Sequence, residues 1–111
     1  MKLPADSIIP GDKIRRYLLL PRLKDDKSKF LALAGYTLAN WETLEKDIRS
    51  AIQQYEAFEG RPNPYGTVYE VEAKWMTPRG REISVRMIWI RLNLTGETTF
   101  VTLYPNEEEK K

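Results

Sequence analysis

The C-terminal part of the sequence contains the groups that phosphate chemistry needs: Glu70, Glu72, Arg86, Thr102 and Tyr104. An arginine can bind a phosphate through two parallel hydrogen bonds. A carboxylate can accept the proton of a ribose 2′-hydroxyl, and a tyrosine or a lysine can position or protonate the leaving oxygen. If these side chains share one rigid surface, they could cleave RNA by transesterification without a metal or a cofactor.

The spacing of apolar residues predicts the strands that would carry these groups. From Tyr65 onward, apolar and polar residues alternate, which is typical of half-buried strands. Turn residues at 77–81 and 93–97 divide this region, and Pro105 ends it. The sequence therefore predicts a three-stranded antiparallel meander with its second strand at 82–92 and its third at 98–104.

Turn positions fix a register, because a slip of one residue would exchange the two faces of the sheet. A first turn centred on Arg79 makes every cross-strand pair on one face apolar: Trp75–Ile83, Ala73–Val85, Val71–Met87 and Tyr69–Trp89. A second turn centred on Thr95 adds Val101 opposite Trp89 and Leu103 opposite Met87 on that face. We expect this face to cover the core.

The same register places the remaining residues on the outer face. Glu72 lies opposite Arg86, which lies opposite Tyr104, and Glu70 and Thr102 flank Ile88. The outer face then has a polar end, formed by Glu70, Glu72, Lys74, Ser84, Arg86, Thr102 and Tyr104, and an apolar end, formed by Val68, Ile88, Ile90 and Phe100. The polar end is either a phosphate site or an ordinary cross-strand ion pair with polar neighbours. The apolar end is a partner or dimer surface, or is covered by the N-terminal segment or the loop at 60–64.

Three helices are predicted before the strands, at 13–20, 27–34 and from Thr37 or Asn40 to Tyr55. Gly35 stands where a left-handed C-cap is expected. The glycine and two prolines at 60–64 predict a loop. The predicted fold is α+β, with three N-terminal helices packed on one face of the three-stranded meander. Residues 1–105 form a single domain, and 106–111 are a charged, disordered tail.

Composition limits the class of protein. A chain of 111 residues has room for one domain, and it contains no cysteine and no histidine. Their absence excludes disulfides, the usual zinc sites and Ser–His or Cys–His mechanisms, so we expect no metal and no cofactor. No apolar run approaches the length of a membrane span, and the first residues lack the apolar core of a signal peptide. These features predict a cytoplasmic protein without membrane contact.

Basic residues are concentrated in the N-terminal third, although the net charge of the whole chain is only +2. Lys27 and Lys29 stand at the start of the second predicted helix, where amines and backbone N–H groups could bind an anion. We predict that these two lysines, with Lys74 on the sheet, bind phosphate. Alternatively, Asp25 and Asp26 neutralise the helix lysines locally, and the basic third is a solvated surface.

The sequence as a whole resembles a family of small uncharacterised bacterial domains that are common in cyanobacteria. The resemblance rests on residues 9–10, 13–19, 25–32, 34–37, 40–41, 65–66, 69–71, 78–80, 85–89 and 100–105. More remotely, residues 17–29 resemble the opening of bacterial toxin nucleases of the barnase–EndoU–colicin–RelE group. That group places N-terminal helices before an antiparallel sheet, and its RelE-type members use lysine, arginine and tyrosine, which this sequence retains.

Two functional hypotheses follow. The first is an RNA-cleaving or RNA-binding domain, the toxin of a toxin–antitoxin pair, with Arg86, Tyr104, Glu72, Glu70 and Thr102 as site residues and a small antitoxin-like partner protein. The second is a non-catalytic interaction module that binds a small partner, or forms a homodimer, through the outer sheet face.

Overall fold

The computed structural model describes residues 1–19 and 28–106. Its central element is a four-stranded antiparallel sheet in the order β1-β2-β3-β4, in which each strand pairs with the next along the chain. The strands are β1 (Ala57–Asn63), β2 (Gly66–Met76), β3 (Glu82–Leu92) and β4 (Thr98–Pro105). A π-helical segment (Lys13–Leu18), helix α1 (Ser28–Leu33), a 3-10 turn (Leu38–Asn40) and helix α2 (Trp41–Gln54) precede the sheet.

Helix α2 supplies the longest apolar stripe over the sheet. Leu44, Ile48, Ala51 and Ile52 recur at helical spacing, and all four are buried against the inner sheet face. The 3-10 turn that leads into α2 is closed by a capping box between Thr37 and Asn40. The prediction that a helix ends near Tyr55 with its apolar side inward is confirmed.

The predicted fold of three helices on a three-stranded meander is wrong, because β1 is a fourth strand. Its residues Ala57–Asn63 overlap the predicted loop at 60–64. Proline cannot donate a ladder hydrogen bond and is therefore confined to edge strands, and β1 is an edge. Pairing with β2 also shifts between Glu59 and Pro62, so the strand contains an irregularity that no alternation pattern reveals.

The helical prediction also needs correction, since only α2 is long among the helical segments of the described residues. The first predicted helix, 13–20, is a six-residue π-helical segment, and α1 is six residues long within the predicted 27–34. Gly35 does follow α1 in the left-handed conformation, with φ of 100°. Its neighbour Tyr36 donates a backbone hydrogen bond to Leu31, which completes the predicted C-cap.

The register of β2 and β3 is as predicted. All four apolar pairs from Trp75–Ile83 to Tyr69–Trp89 are present, and Glu72 pairs with Arg86 on the other face. The inner face is a continuous part of the buried core. A turn around Gly80, which has φ of 77°, joins the two strands.

Pairing of β3 with β4 departs from the prediction at one residue. Ile88 pairs with Thr102 as expected, but Trp89 then pairs with Phe100, so Val101 is an extra residue on β4. A bulge of this kind exchanges the faces beyond it. Phe100 is therefore 1% exposed in the core, edge-on to Trp89 with ring centroids 5.3 Å apart, and the predicted placement of Phe100 on the outer face is wrong.

The N-terminal segment covers the free edge of β4. Ile8 forms a parallel bridge with Thr99: its N–H donates to Thr98, and its carbonyl accepts from Phe100 at 2.8 Å. Arg49 on α2 fixes the same segment by donating to the carbonyls of Ala5 and Ser7, each at 2.8 Å. The segment thus protects a sheet edge, whereas the sequence had suggested it only as a cover for the apolar end of the outer face.

A buried polar network joins the helical layer to the sheet. The Tyr36 hydroxyl donates to Asp47 of α2 at 2.5 Å and accepts the indole N–H of Trp75 on β2 at 2.7 Å. Burial and the hydrogen bond to Asp47 raise the pKa of Tyr36 well above its usual range. The hydroxyl is therefore held neutral as a fixed bridge between the layers.

The predicted tail falls mostly outside the described residues. Asn106 is described, is buried, and continues the β3–β4 ladder by donating its backbone N–H to Ser84 at 3.0 Å. The tail prediction for 107–111 stays a prediction, as does the single-domain boundary.

Candidate functional site

Arg86 occupies the middle of a row on the outer sheet face, between Glu72 on β2 and Tyr104 on β4. Its Nη2 donates a hydrogen bond to Glu72 Oε2 at 2.8 Å. Hydrogen bonding to Glu72 raises the pKa of Arg86; desolvation opposes this shift, and a hydrogen bond with Tyr104 adds to it. The guanidinium is therefore charged and held in one place on a rigid sheet.

Glu70 completes the charged cluster from the next outward-facing position of β2. Its Oε1 lies 3.9 Å from Arg86 Nε, a nitrogen that is shielded from solvent and finds no hydrogen-bond partner among the described residues. On its other side, Glu70 Oε2 would lie 3.4 Å from a Cβ added to Gly60. Glu70 thus stands between Arg86 and the edge strand β1, and it is less firmly engaged with Arg86 than Glu72 is.

Lys74 extends the cluster along β2, opposite Ser84. A shallow cavity of about 170 Å³ lies between Glu72, Lys74, Ser84 and Asn106. Within this cluster, the carboxylates of Glu70 and Glu72 balance the basic groups of Lys74 and Arg86, so the cluster has no net charge. It can orient a phosphate through Arg86, but long-range attraction of RNA must come from basic residues elsewhere.

Thr102 lies in the neighbouring row, which runs from Phe58 through Glu70 and Ile88 to Thr102. Its hydroxyl donates weakly to the carbonyl of Leu103 at 3.4 Å, so its oxygen still presents lone pairs to the outer face. The five predicted site residues therefore occupy two adjacent rows of one surface, although their chemical roles remain predictions.

The predicted phosphate-binding lysines are not all part of this surface. Lys27 lies outside the described residues. Lys29 is exposed on α1, beside a depression lined by Leu19, Tyr36 and Leu38, and no residue of the outer cluster lines that depression. Of the two described lysines, Lys29 and Lys74, only Lys74 lies on the same surface as Arg86.

The apolar end of the outer face is smaller than predicted. Val68, Ile88 and Ile90 are half-buried there, and Val68 pairs with Ile90 as expected. Phe100 has turned into the core through the bulge at Val101, and Thr99 takes its place opposite Ile90. This change removes the largest side chain on which a partner surface of Ile88, Ile90 and Phe100 depended.

The sequence pattern did not indicate Phe58, which is 66% exposed on the outer face beside Glu70. The residue lies on β1, where alternation is interrupted by Gly60 and Pro62. The pair Ala57-Phe58 is the sequence feature that could have indicated a strand here. Ala57 is buried and Phe58 is exposed, which is the alternation of a strand.

Two further observations concern the described ranges 1–19 and 28–106. No group of three or more acidic side chains in them converges in a way that could hold a metal ion. No helix in them has both the length and the apolar composition that crossing a bilayer requires.

Comparison with curated proteins finds no match. Among solved structures, the fold is similar to a chain of a contact-dependent growth inhibition toxin–immunity protein complex from Klebsiella pneumoniae 342, with a TM-score of 0.67 and 18% identity over 92% of this chain and 95% of that chain. At this identity the likeness shows a shared fold. The sequence profile of a domain of unknown function, DUF6883, matches residues 3–107, and the chain therefore belongs to that family.

Proposed function

We propose that this domain is a toxin-like, RNA-cleaving protein whose reaction takes place on the outer sheet face around Arg86. The observation that carries the proposal is the position of one guanidinium, 2.8 Å from Glu72 and 3.9 Å from Glu70, with a phenol next to it in the same row. The guanidinium can stabilise negative charge, a carboxylate can accept a proton and the phenol can donate one, and Arg86 lies on the strand between the carboxylates and the phenol.

In the proposed reaction, the carboxylate of Glu70 removes the proton from a ribose 2′-hydroxyl. The 2′-oxygen forms a bond to the adjacent phosphorus, and the bond from phosphorus to the 5′-oxygen breaks. Tyr104 gives its phenolic proton to that leaving oxygen, and the products are a 2′,3′-cyclic phosphate and a 5′-hydroxyl. Arg86 stabilises the negative charge that develops on the phosphoryl oxygens.

Glu70 suits the role of base better than Glu72. Glu72 is engaged in a short hydrogen bond with Arg86, and its loss would release the guanidinium. Glu70 makes the longer contact with Arg86, and its Oε2 lies beside Gly60 of the edge strand β1. Glu72 is accordingly a positioning residue, which holds Arg86 in place for the phosphate.

A partner protein is part of the proposal. The structural neighbour is a chain of a toxin–immunity protein complex, and this origin supports a partner protein for the present domain. Because the reactive groups lie on an open sheet face, a partner that covers this face would block access of RNA. An acidic partner would complement the basic residues of the chain.

The test is cleavage of total RNA by the purified protein, with the product ends identified chemically. We expect fragments ending in 2′,3′-cyclic phosphate, and loss of cleavage by about 100-fold or more in Arg86→Ala with Tyr104→Phe. Arg91→Ala is the matched control, since Arg91 is an exposed arginine on the same strand. Cleavage that survives the double substitution would show that the site is elsewhere.

The second candidate is a non-catalytic interaction module. Exposure of Phe58 near the half-buried Val68, Ile88 and Ile90 favours it, because these residues give a partner some apolar surface on the outer face. A tight complex with a small protein, combined with intact RNA and normal growth on induction, would support this role and exclude the nuclease.

A further inference from the structure

Phe58 is the most exposed large side chain beside the charged cluster. It projects from β1 on the outer face, directly across the ladder from Glu70, and 66% of it is exposed. An aromatic ring of this size that stays exposed does not gain the favourable free energy of burial in the core. The ring is therefore a candidate for contact with a ligand.

Gly60 follows Phe58 on β1, beside Glu70. A Cβ at Gly60 would lie 3.3 Å from Val68 Cγ1 and 3.4 Å from Glu70 Oε2, so the side chains of Val68 and Glu70 pack over this part of the β1 backbone. The carboxylate of Glu70 therefore reaches the strand that carries Phe58. A planar group that rests on the ring of Phe58 would lie next to this carboxylate.

The distances suit one nucleotide. Phe58 and Arg86 lie on strands two positions apart, which separates their backbones by about 10 Å across the sheet. A base stacked on Phe58 would place its own ribose near Glu70 and the following phosphate near Arg86. Aromatic side chains on a β-sheet that stack splayed bases are a recurrent means of binding single-stranded RNA.

We infer that Phe58 is a base-stacking residue for single-stranded RNA, and that it binds the nucleotide whose 2′-hydroxyl faces Glu70. The inference rests on the proposed function and adds its substrate class, since a base inside a duplex cannot stack on a side chain. A protein-binding hot spot is usually enclosed by other contacts that exclude water. Phe58 instead pairs across the ladder with the charged residue Glu70, and 66% of it is exposed.

The experiment measures binding of a fluorescein-labelled hexanucleotide with 2′-O-methyl riboses, which cannot be cleaved because the nucleophile is blocked. Four variants are compared with the unmodified protein: Phe58→Ala, Phe58→Trp, Arg86→Ala and Tyr65→Ala. Tyr65 is the matched control, an aromatic residue that is 75% exposed in the β1–β2 turn. Hexanucleotides that carry one abasic position, placed in turn at each site, locate the stacked base.

We expect Phe58→Ala to weaken binding about 10-fold, Phe58→Trp to retain it, and Tyr65→Ala to change it less than about 2-fold. The hexanucleotide that lacks the stacked base should bind the unmodified protein about 10-fold more weakly than the complete hexanucleotide does. The Phe58→Ala variant should bind these two hexanucleotides equally, because the stacking contact is already lost.

Two results overturn the inference, and they are distinguishable. If Arg86→Ala weakens binding but Phe58→Ala does not, or if Tyr65→Ala weakens it equally, Phe58 has no stacking role and the proposed function stands. A protein partner would then be the better explanation for the exposed ring. If the unmodified protein binds neither this oligonucleotide nor total RNA, the proposed function fails and the stacking role fails with it.

Discussion

Arg86 Nη2 lies 2.8 Å from Glu72 Oε2, directly across the β2–β3 ladder on the outer sheet face. The side chains are 29% and 51% exposed, respectively, so solvent screens their attraction. The pair therefore orients a guanidinium more than it stabilises the fold. This separation of roles allows the site to be altered without loss of structure.

Replacement of Arg86 by alanine should lower the free energy of unfolding by less than about 1 kcal/mol, because partly exposed ion pairs contribute little to stability. Urea denaturation followed by circular dichroism measures the change, with Arg91→Ala as the control on the same strand. A loss above about 3 kcal/mol is typical of a broken buried pair and would contradict this view of the cluster.

Replacement of Phe100 by alanine should lower the free energy of unfolding by about 3–5 kcal/mol, since it removes a buried ring that packs edge-on against Trp89. Phe58→Ala is the matched control, because the same side chain is lost from an exposed position on the same sheet. We expect its effect to stay within about 0.5 kcal/mol. Equal effects of the two substitutions would argue against the bulge at Val101.

Replacement of Gly66 by alanine should lower the free energy of unfolding by about 1–3 kcal/mol through overpacking. A Cβ at this position would lie 2.1 Å from the carbonyl oxygen of Arg91, so β2 and β3 would have to separate. Gly11→Ala is the control, because its added Cβ would meet side chains at ordinary distances of 3.7–3.8 Å. Thermal denaturation of both variants checks the prediction, and a neutral Gly66→Ala would show that the strands do not approach this closely.

Replacement of Tyr36 by phenylalanine should lower the free energy of unfolding by about 1–3 kcal/mol at neutral pH, because Asp47 and the Trp75 indole each lose a hydrogen-bond partner. The cost is measured by urea denaturation. Trp75→Phe removes one bond of the same network and should cost less.

We also expect Tyr36→Phe to change how the free energy of unfolding depends on pH. Tyr36 has an ordinary pKa of 10.0, and burial raises the pKa in the folded state. The unfolded chain therefore releases this proton first, and stability that is fully present below pH 10 is lost as the pH rises above it. The difference in unfolding free energy between the unmodified protein and Tyr36→Phe should narrow by about 1 kcal/mol from pH 10 to pH 11, because half of the unfolded chains already lack this proton at pH 10. A constant difference across this range would show that Tyr36 titrates equally in both states.

The arrangement of the candidate site followed from the sequence where two strands alternate cleanly. Glu72 and Arg86 pair as predicted because the inward-facing residues of β2 and β3 are apolar and the turn at 77–81 has one natural centre. Tyr104 joins their row on the far side of the bulge at Val101. Phe58 could not be placed in this way. Strand β1 contains a glycine and a proline, which interrupt the alternation of apolar and polar residues. Pairing with β2 stabilises this strand, and the sequence of β1 alone does not predict it.

The amino-acid sequence alone determined the period-two strands, the β2–β3 register and the apolar face of α2, because each depends on residues close together in the chain. Only the tertiary structure decided that Ala57–Asn63 joins the sheet, that β4 bulges at Val101 to bury Phe100, and that Ile8 covers the edge of β4. No regular apolar pattern in the sequence marks these features. Their favourable energy, from burial of a ring or satisfaction of a free strand edge, arises only when the whole core has assembled.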